Sequence, residues 1–171
     1  MKMIKDKRLG NLLLALGKVL LKPVCGLPVC VAAGYAMAAA ASHTVDQVTD
    51  FSVSSASGMF RFAPELVEIE PGETLTFLNS RGSHTVRSQV GFWPEDAPEV
   101  DISGQLKTDV TFDAPGLYGV TCRRHGKYGM VMLVAVGDVK ASDADFERIE
   151  KLKANKRAKD GYKKLLSQLS K

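Results

Sequence analysis

Hydrophobic and polar residues alternate through much of the central part of the chain, which predicts β-strands. The segment FRFAPELVEIEPGETLTFLN (60–79) contains two alternating runs separated by a Pro-Gly turn. The segment TDVTFDAPGLYGVTC (108–122) repeats this design, and VMLVAV (131–136) is a continuous apolar run typical of an interior strand. Short strands with a turn signal about every ten residues predict an all-β sandwich.

Two other segments have little regular pattern. Residues 42–58 (SHTVDQVTDFSVSSASG) favour an extended or loosely structured segment that precedes the first strand. Residues 79–106 contain several glycines and prolines, so we expect loops there, with one or two short elements.

The C-terminal segment has the periodicity of helices instead. Ser142 and Asp145 resemble a capping box, and the apolar residues that follow them are spaced along one helical face. A second apolar stripe follows Asp160-Gly161, so we expect two short amphipathic helices packed on the sandwich, with their many lysines facing solvent. The first stripe consists of Phe146, Ile149 and Leu152, and the second of Tyr162, Leu165, Leu166 and Leu169.

The N-terminal segment has the pattern of a secretory signal peptide. Residues 1–22 carry six Lys or Arg and one acid, and residues 23–41 are uncharged and end in alanines. We expect cleavage near Ala38–Ala41. An uncleaved membrane anchor is the alternative, because the apolar run is about long enough to span a bilayer. This interpretation divides the chain into a signal peptide (1–41), a β-sandwich (42–138) and a helical extension of the same domain (139–171).

Removal of the leader changes the charge and the cysteine content. Residues 42–171 hold 17 basic and 18 acidic residues, so the sequence pI of about 9.0 belongs largely to the leader. Cys25 and Cys30 would be removed, and Cys122 would remain. A single cysteine cannot form an internal disulfide, and a lone thiol in an oxidising compartment is a liability unless it is buried, paired with another chain or bound to a metal.

The residues around Cys122 offer metal-binding chemistry. The spacing Cys122-x2-His125-x4-Met130 places a thiolate, an imidazole and a thioether on one strand–loop–strand segment, and His84 can supply a second imidazole. This is the ligand set of a trigonal His2Cys electron-transfer copper site with a weak axial Met, whereas zinc would gain little from the thioether. In the alternative interpretation, Cys122 and Met130 are core residues and both histidines are ordinary loop residues.

Several segments of residues 57–171 resemble the cupredoxins and, within them, the pseudoazurins. The matching segments are FRFAPELVEIEPGETLTFLN, the first-histidine loop, DAPGLYGVTC, the Cys-x2-His-x4-Met motif running into GMVMLVAVGD, and the two-helix tail. The resemblance implies a Greek-key sandwich of about eight strands with C-terminal helices, and a protein that carries single electrons. It also implies one type 1 copper per chain. Its ligands by position would be His84, Cys122, His125 and Met130.

Three positions near the ligands depart from the family pattern. Thr85 follows the first histidine where the family usually has Asn, Arg124 precedes the second where it usually has Pro, and Tyr128 stands where it has Met. Such neighbours tune ligand orientation and redox potential. We expect the backbone N–H of Thr85 to remain available to the Cys122 sulfur.

The function implied by the resemblance is a bacterial periplasmic electron carrier rather than an enzyme, since one ligand set leaves no open position for a substrate. The expected partners are a copper nitrite reductase or c-type cytochromes, with no nucleic acid, no stable membrane association after cleavage, and a monomeric state. A copper-buffering protein is the alternative function. Docking is expected near His125 through the basic residues Arg81, Arg87, Arg123, Arg124 and Lys127.

Overall fold

The computed structural model of the chain describes residues 42–169, so the predicted signal peptide lies outside the described residues. These residues form seven strands, a 3-10 helix and two α-helices. The strands are β1 (Ser42–Thr49), β2 (Phe60–Ala63), β3 (Leu66–Ile69), β4 (Glu73–Ser88), β5 (Asp101–Phe112), β6 (Gly116–Thr121) and β7 (Val131–Val136). The 3-10 helix spans Gly126–Tyr128, and the α-helices are α1 (Asp143–Lys151) and α2 (Lys156–Leu169).

The long strand β4 joins two halves of the sheet. The strand order is β2-β1-β4-β6-β7-β3, with β5 paired to β4 outside this path. The first part of β4 pairs in parallel with β1, and β5 pairs antiparallel with β4 from Glu73 to Arg87. Arg87 and Ser88 at the end of β4 also pair with β6. Because β4 contributes to both halves, seven strands build the sandwich for which about eight were expected.

The hydrophobic core lies between the two halves, which confirms the predicted β-sandwich. Alternate residues of β7 face this core, and the other three face the opposite side, so the continuous apolar run is buried on both faces. The first core includes Val45 and Phe62 from one half and Tyr118, Val120, Met132, Val134 and Val136 from the other.

The two C-terminal helices cover the outer face of β7, as the amphipathic stripes predicted. Val131, Leu133 and Ala135 pack there with apolar residues of α1 and α2, and together they form a second hydrophobic core. The Tyr162 hydroxyl is buried and donates a hydrogen bond to the carbonyl of Val120 at 2.8 Å, which joins α2 to β6. No helix among residues 42–169 has both the length and the apolar character needed to cross a membrane.

The helix boundaries confirm one prediction and correct another. Ser142 and Asp145 form the predicted capping box of α1. The second helix begins at Lys156 and not after Asp160-Gly161, because the Asn155 side chain accepts a hydrogen bond from the Ala158 N–H at 3.0 Å and so caps α2 one turn earlier.

Two predictions of irregular structure were right only in part. Residues 42–49 form β1, since they gain a parallel partner in β4 that is distant in sequence. Residues 79–88 and 101–106, expected to be loops, belong to β4 and β5, which pair with each other. The irregular segment between them is confined to residues 89–100.

This irregular segment is held to the core by aromatic residues. Trp93 is 8 % exposed, and its ring meets that of Tyr118 edge to face with centroids 4.7 Å apart. Phe92 is fully buried in the second core against Tyr162. Arg148 of α1 donates hydrogen bonds to the carbonyls of Gly91 and Trp93. These contacts favour a packing role for Trp93 rather than a role in an exposed docking surface.

Candidate metal centre

His84 lies inside β4, at an interruption of its pairing with β5. The register between the two strands shifts between Ser80 and Thr85, and Asn79 just before this point has a left-handed φ of 61°. Asparagine tolerates that conformation better than most residues, and bulges commonly redirect a side chain at a functional site. His84 is therefore on a distorted strand, 8 % exposed, and not in the loop that the sequence indicated.

The segment from Cys122 to Met130 is closed by its own backbone hydrogen bonds. The N–H of Cys122 donates to the carbonyl of Met130 at 3.2 Å, and the N–H of Met130 donates to the carbonyl of His125 at 3.2 Å. The N–H of Gly126 donates to the carbonyl of Cys122 at 2.8 Å. As predicted, Cys122 follows the last residue of β6 and Met130 precedes the first residue of β7.

These two segments bring three donor side chains together. Atoms of His84, Cys122 and His125 that can bind a metal all lie within 4.8 Å of one another. The Cys122 Sγ is 3.7 Å from His125 Nδ1, which is 3.3 Å from His84 Nδ1. All three residues are buried, and Cys122 is only 1 % exposed. No other group of three or more His, Cys, Asp or Glu side chains with this proximity occurs among residues 42–169.

Met130 and His43 occupy different positions relative to this cluster. Met130 is fully buried in the first core, directly before β7 and bonded through its backbone to both Cys122 and His125. His43 lies in β1 opposite Leu75, and its Nε2 is 3.9 Å from a Glu73 carboxylate oxygen. His43 therefore takes no part in the cluster.

Thr49 and Phe60 contact the two histidines, and neither was identified from the sequence. Thr49 Oγ1 lies 2.7 Å from His84 Nε2, which leaves the Nδ1 of this histidine free for a metal. The Phe60 ring stacks on the His125 ring with centroids 3.8 Å apart and an angle of 3° between the planes. Outer contacts of this kind fix the orientation of metal-binding histidines. The sequence pattern does not show that β1 and β2 lie beside the cluster, so it could not identify these two residues.

The hydroxyl of Thr85 ties the two ligand-bearing segments together. It accepts a hydrogen bond from the backbone N–H of Arg123 at 2.8 Å. It also donates a weak hydrogen bond to the Cys122 sulfur at 3.8 Å. The backbone of Thr85 also helps to lower the pKa of the Cys122 thiol, as expected of an N–H that remains available to the sulfur. Thr85 thus links the segments at the position where the family usually has Asn.

The surroundings of Cys122 and His125 shift these two groups towards the protonation states that a metal requires. Burial opposes ionisation of Cys122, but hydrogen bonds from His84 and from the backbone of Thr85, Arg124 and His125 outweigh it and lower its pKa to about 7. Burial, followed by repulsion from His84 and the neighbouring cations, lowers the pKa of His125 to about 4. A thiolate and neutral imidazoles are the forms that bind metal ions.

The basic residues predicted to surround the site are partly neutralised. Asp101 Oδ2 lies 3.3 Å from Arg87 Nε and 2.8 Å from Arg123 Nη2, so one acid is shared by two of the five predicted cations. Lys127 lies over the Tyr128 ring, 5.0 Å from its centroid. The structure therefore leaves less net positive charge at the ligand segments than the count of basic residues indicates.

Comparison with known proteins identifies the family. The model of the copper-binding proteins of the plastocyanin/azurin family matches residues 49–137, slightly more than half of the chain. The chain belongs to this family. The matched residues include both segments that bring His84, Cys122 and His125 together.

The similar proteins place the chain with the pseudoazurins of this cupredoxin family. A pseudoazurin from Methylorubrum extorquens is 39% identical over 85 residues, which are 50% of this chain and 57% of the relative. The crystal structure of pseudoazurin from Methylobacterium extorquens AM1 superimposes with a TM-score of 0.62 at 30% identity, covering 75% of this chain and 98% of that one. Native pseudoazurin from Hyphomicrobium denitrificans also gives 0.62, at 27% identity, and covers 77% and 100%.

Several predictions are confirmed by this membership. The chain is a pseudoazurin-like cupredoxin, and its cofactor is copper. It is a blue-copper electron carrier and not an enzyme. The chemistry of the cluster agrees, because thiolate and imidazole donors suit copper and the described cluster contains no carboxylate.

Proposed function

We propose that this protein carries single electrons between redox proteins in the bacterial periplasm, using one type 1 copper ion held by His84, Cys122, His125 and Met130. The observation that carries the proposal is the buried cluster of one thiol and two imidazoles whose donor atoms lie within 4.8 Å. Bound copper supplies a one-electron couple between Cu(II) and Cu(I). We further propose that residues 1–41 direct export and that residues 42–171 form the mature domain.

The protein's own part in electron transfer is to hold the ligands nearly still. Backbone hydrogen bonds close the segment from Cys122 to Met130, and Thr85 fixes it to β4. Thr49 and Phe60 restrain the two imidazole rings from the other side. A buried, restrained ligand set changes little when the charge of the site changes, so little energy is spent on rearrangement at each transfer.

We also propose that an acidic redox partner, such as a copper nitrite reductase or a c-type cytochrome, docks near His125. Arg81, Arg87, Arg123, Arg124 and Lys127 are the cations expected to steer it. A groove of about 740 Å³ beside Cys122 extends the positive surface towards α1. The cations that line this groove are Arg87, Arg123, Lys127, Arg148, Lys151 and Lys153.

Copper titration of the purified protein tests the proposed function. An electron carrier should bind one equivalent of copper, show an intense visible band when oxidised, and lose and regain that band through repeated reduction and oxidation. A colourless protein that exchanges Cu(I) readily with a chelator would support copper buffering instead. Absence of copper binding would contradict both functions.

A further inference from the structure

Phe60 covers one face of the His125 ring in an unusual way. The two rings are parallel to within 3°, and their centroids are only 3.8 Å apart. Two electron-rich rings disfavour this close face-to-face arrangement and prefer offset or edge-to-face packing. The arrangement becomes favourable when one of the two rings is electron-poor, as an imidazole is when it binds a metal cation.

Phe60 is also held in place from two sides. Its strand, β2, pairs with β1, and Thr49 is its cross-strand partner. This one rung therefore contacts both histidines, since Thr49 bonds to His84 while Phe60 stacks on His125. The Tyr128 ring, tilted by 33° at a centroid distance of 5.7 Å, packs against Phe60 from the 3-10 helix.

We propose that Phe60 is a positioning residue of the metal centre that fixes the plane of the His125 ring and lowers the reduction potential of the bound copper. The inference rests on the proposed function, because it requires His125 to be a ligand. Phe60 comes from a strand that supplies none of the four proposed ligands, and its role follows only from the stacking geometry.

The direction of the effect follows from charge. The face of a phenylalanine ring carries negative partial charge, and it attracts a ring or ion that is positive. An imidazole on Cu(II) is more electron-poor than one on Cu(I), so the stack stabilises the oxidised protein more. An interaction that is stronger in one of two states shifts the equilibrium towards that state.

Substitution of the ring tests the inference. Phe60→Leu should retain the visible copper band while the ratio of Cu(II) to Cu(I) affinity falls three- to tenfold. A tenfold change corresponds to 59 mV for a one-electron couple, so the potential should rise by about 30 to 60 mV. Phe60→Tyr keeps the aromatic face and should leave the potential close to the wild-type value. Phe60→Met provides a second variant without the ring if Phe60→Leu folds poorly.

Two further measurements separate tuning from general packing. Phe146→Leu makes the same substitution at a partly buried residue of the second core and should not change the potential. In the metal-free protein, the ring protons of His125 should show an upfield NMR shift that Phe60→Leu removes and Phe60→Tyr retains.

The outcomes distinguish this inference from the proposed function. An intact visible band with an unchanged potential in Phe60→Leu would overturn the role of Phe60 alone. A potential that moves equally in Phe60→Tyr and Phe60→Leu would also overturn it. A wild-type protein without the band would overturn the proposed function, and the inference with it.

Discussion

At the scale of single residues, Thr49 and Phe60 hold the two histidines of the metal centre from strands β1 and β2, which carry none of the proposed ligands. Cys122 and His125 are close in sequence on one segment with a fixed spacing, so their side chains could be expected to meet. Thr49 and Phe60 lie more than 20 residues before His84, on strands whose pairing the local pattern does not specify. Their contacts with His84 and His125 depend on tertiary packing, which spacing along the chain cannot show.

Replacing Met130, the proposed axial ligand, should change the potential without removing the copper. We expect Met130→Leu to keep one copper and the visible band, because Leu has a similar volume and the thioether is a weak ligand. The potential should rise by about 60 mV or more, because loss of a donor lowers the affinity for Cu(II) relative to that for Cu(I). A tenfold fall in the ratio of the two affinities corresponds to about 59 mV. Cyclic voltammetry measures this change. Loss of copper on substitution would show that Met130 holds the ion more strongly than an axial ligand does.

Removing the Thr85 hydroxyl should loosen the ligand segment. Thr85→Val has nearly the same shape but leaves the N–H of Arg123 without its acceptor. We expect the free energy of unfolding of the metal-free protein to fall by about 1 kcal/mol, the usual value of such a bond. Thr85→Ser, which keeps the hydroxyl, is the matched control in urea titrations. Equal stability of Thr85→Val and the wild type would show that this hydrogen bond does not stabilise the fold.

At the scale of elements, local patterns predicted the strands in which hydrophobic and polar residues alternate. They missed the strands whose conformation depends on pairing with a strand distant in sequence. Residues 42–49 and 79–88 have weak alternation, and their strand conformation comes from pairing across the sheet. The second helix was placed too late because Asp160-Gly161 resembles a helix break. Gly161 is instead tolerated inside α2, where a Cβ would come within 2.7 Å of Val131 Cγ2 on β7.

The attachment of α2 to the sandwich can be tested through its buried tyrosine. Burial raises the pKa of Tyr162 well above its usual value, so the hydroxyl remains a donor to the Val120 carbonyl. Tyr162→Phe should lower the free energy of unfolding by about 1 kcal/mol, because it removes this buried hydrogen bond. The visible band should not change, since Tyr162 packs on the outer face of the sheet. An altered copper spectrum would instead couple this helix to the metal centre.

At the scale of the whole molecule, charge near the site and charge of the chain must be considered separately. Residues 42–138 hold 7 basic and 13 acidic residues, yet five of the basic residues lie on the ligand-bearing segments. The sequence predicted this concentration. It could not show that Asp101 would reach Arg87 and Arg123 from the start of β5, because that contact depends on the strand pairing.

Reversing the charge of basic residues that form no ion pair within residues 42–169 should slow electron transfer with an acidic partner. Arg124 and Lys127 form no ion pair with any residue of the described part of the chain, so they are better targets than Arg123. We expect Arg124→Glu/Lys127→Glu to lower the rate with a c-type cytochrome at low salt and to have little effect at high salt. Stopped-flow kinetics measure the rate.

The control for this variant is Lys107→Glu/Lys140→Glu, which makes the same change in net charge outside the ligand segments. The copper spectrum must be recorded for both, because the backbone of Arg124 helps to lower the pKa of the Cys122 thiol. Equal low-salt rates for the two double variants, with intact spectra, would contradict docking on this face.

The visible spectrum of the copper-loaded protein shows whether Cys122 is the thiolate ligand of a type 1 copper centre. A short copper–thiolate bond gives the oxidised wild type an intense charge-transfer band. We expect Cys122→Ser to abolish this band at equal copper loading, while the folded structure is retained. Survival of the intense band in Cys122→Ser would contradict the assignment of the metal centre.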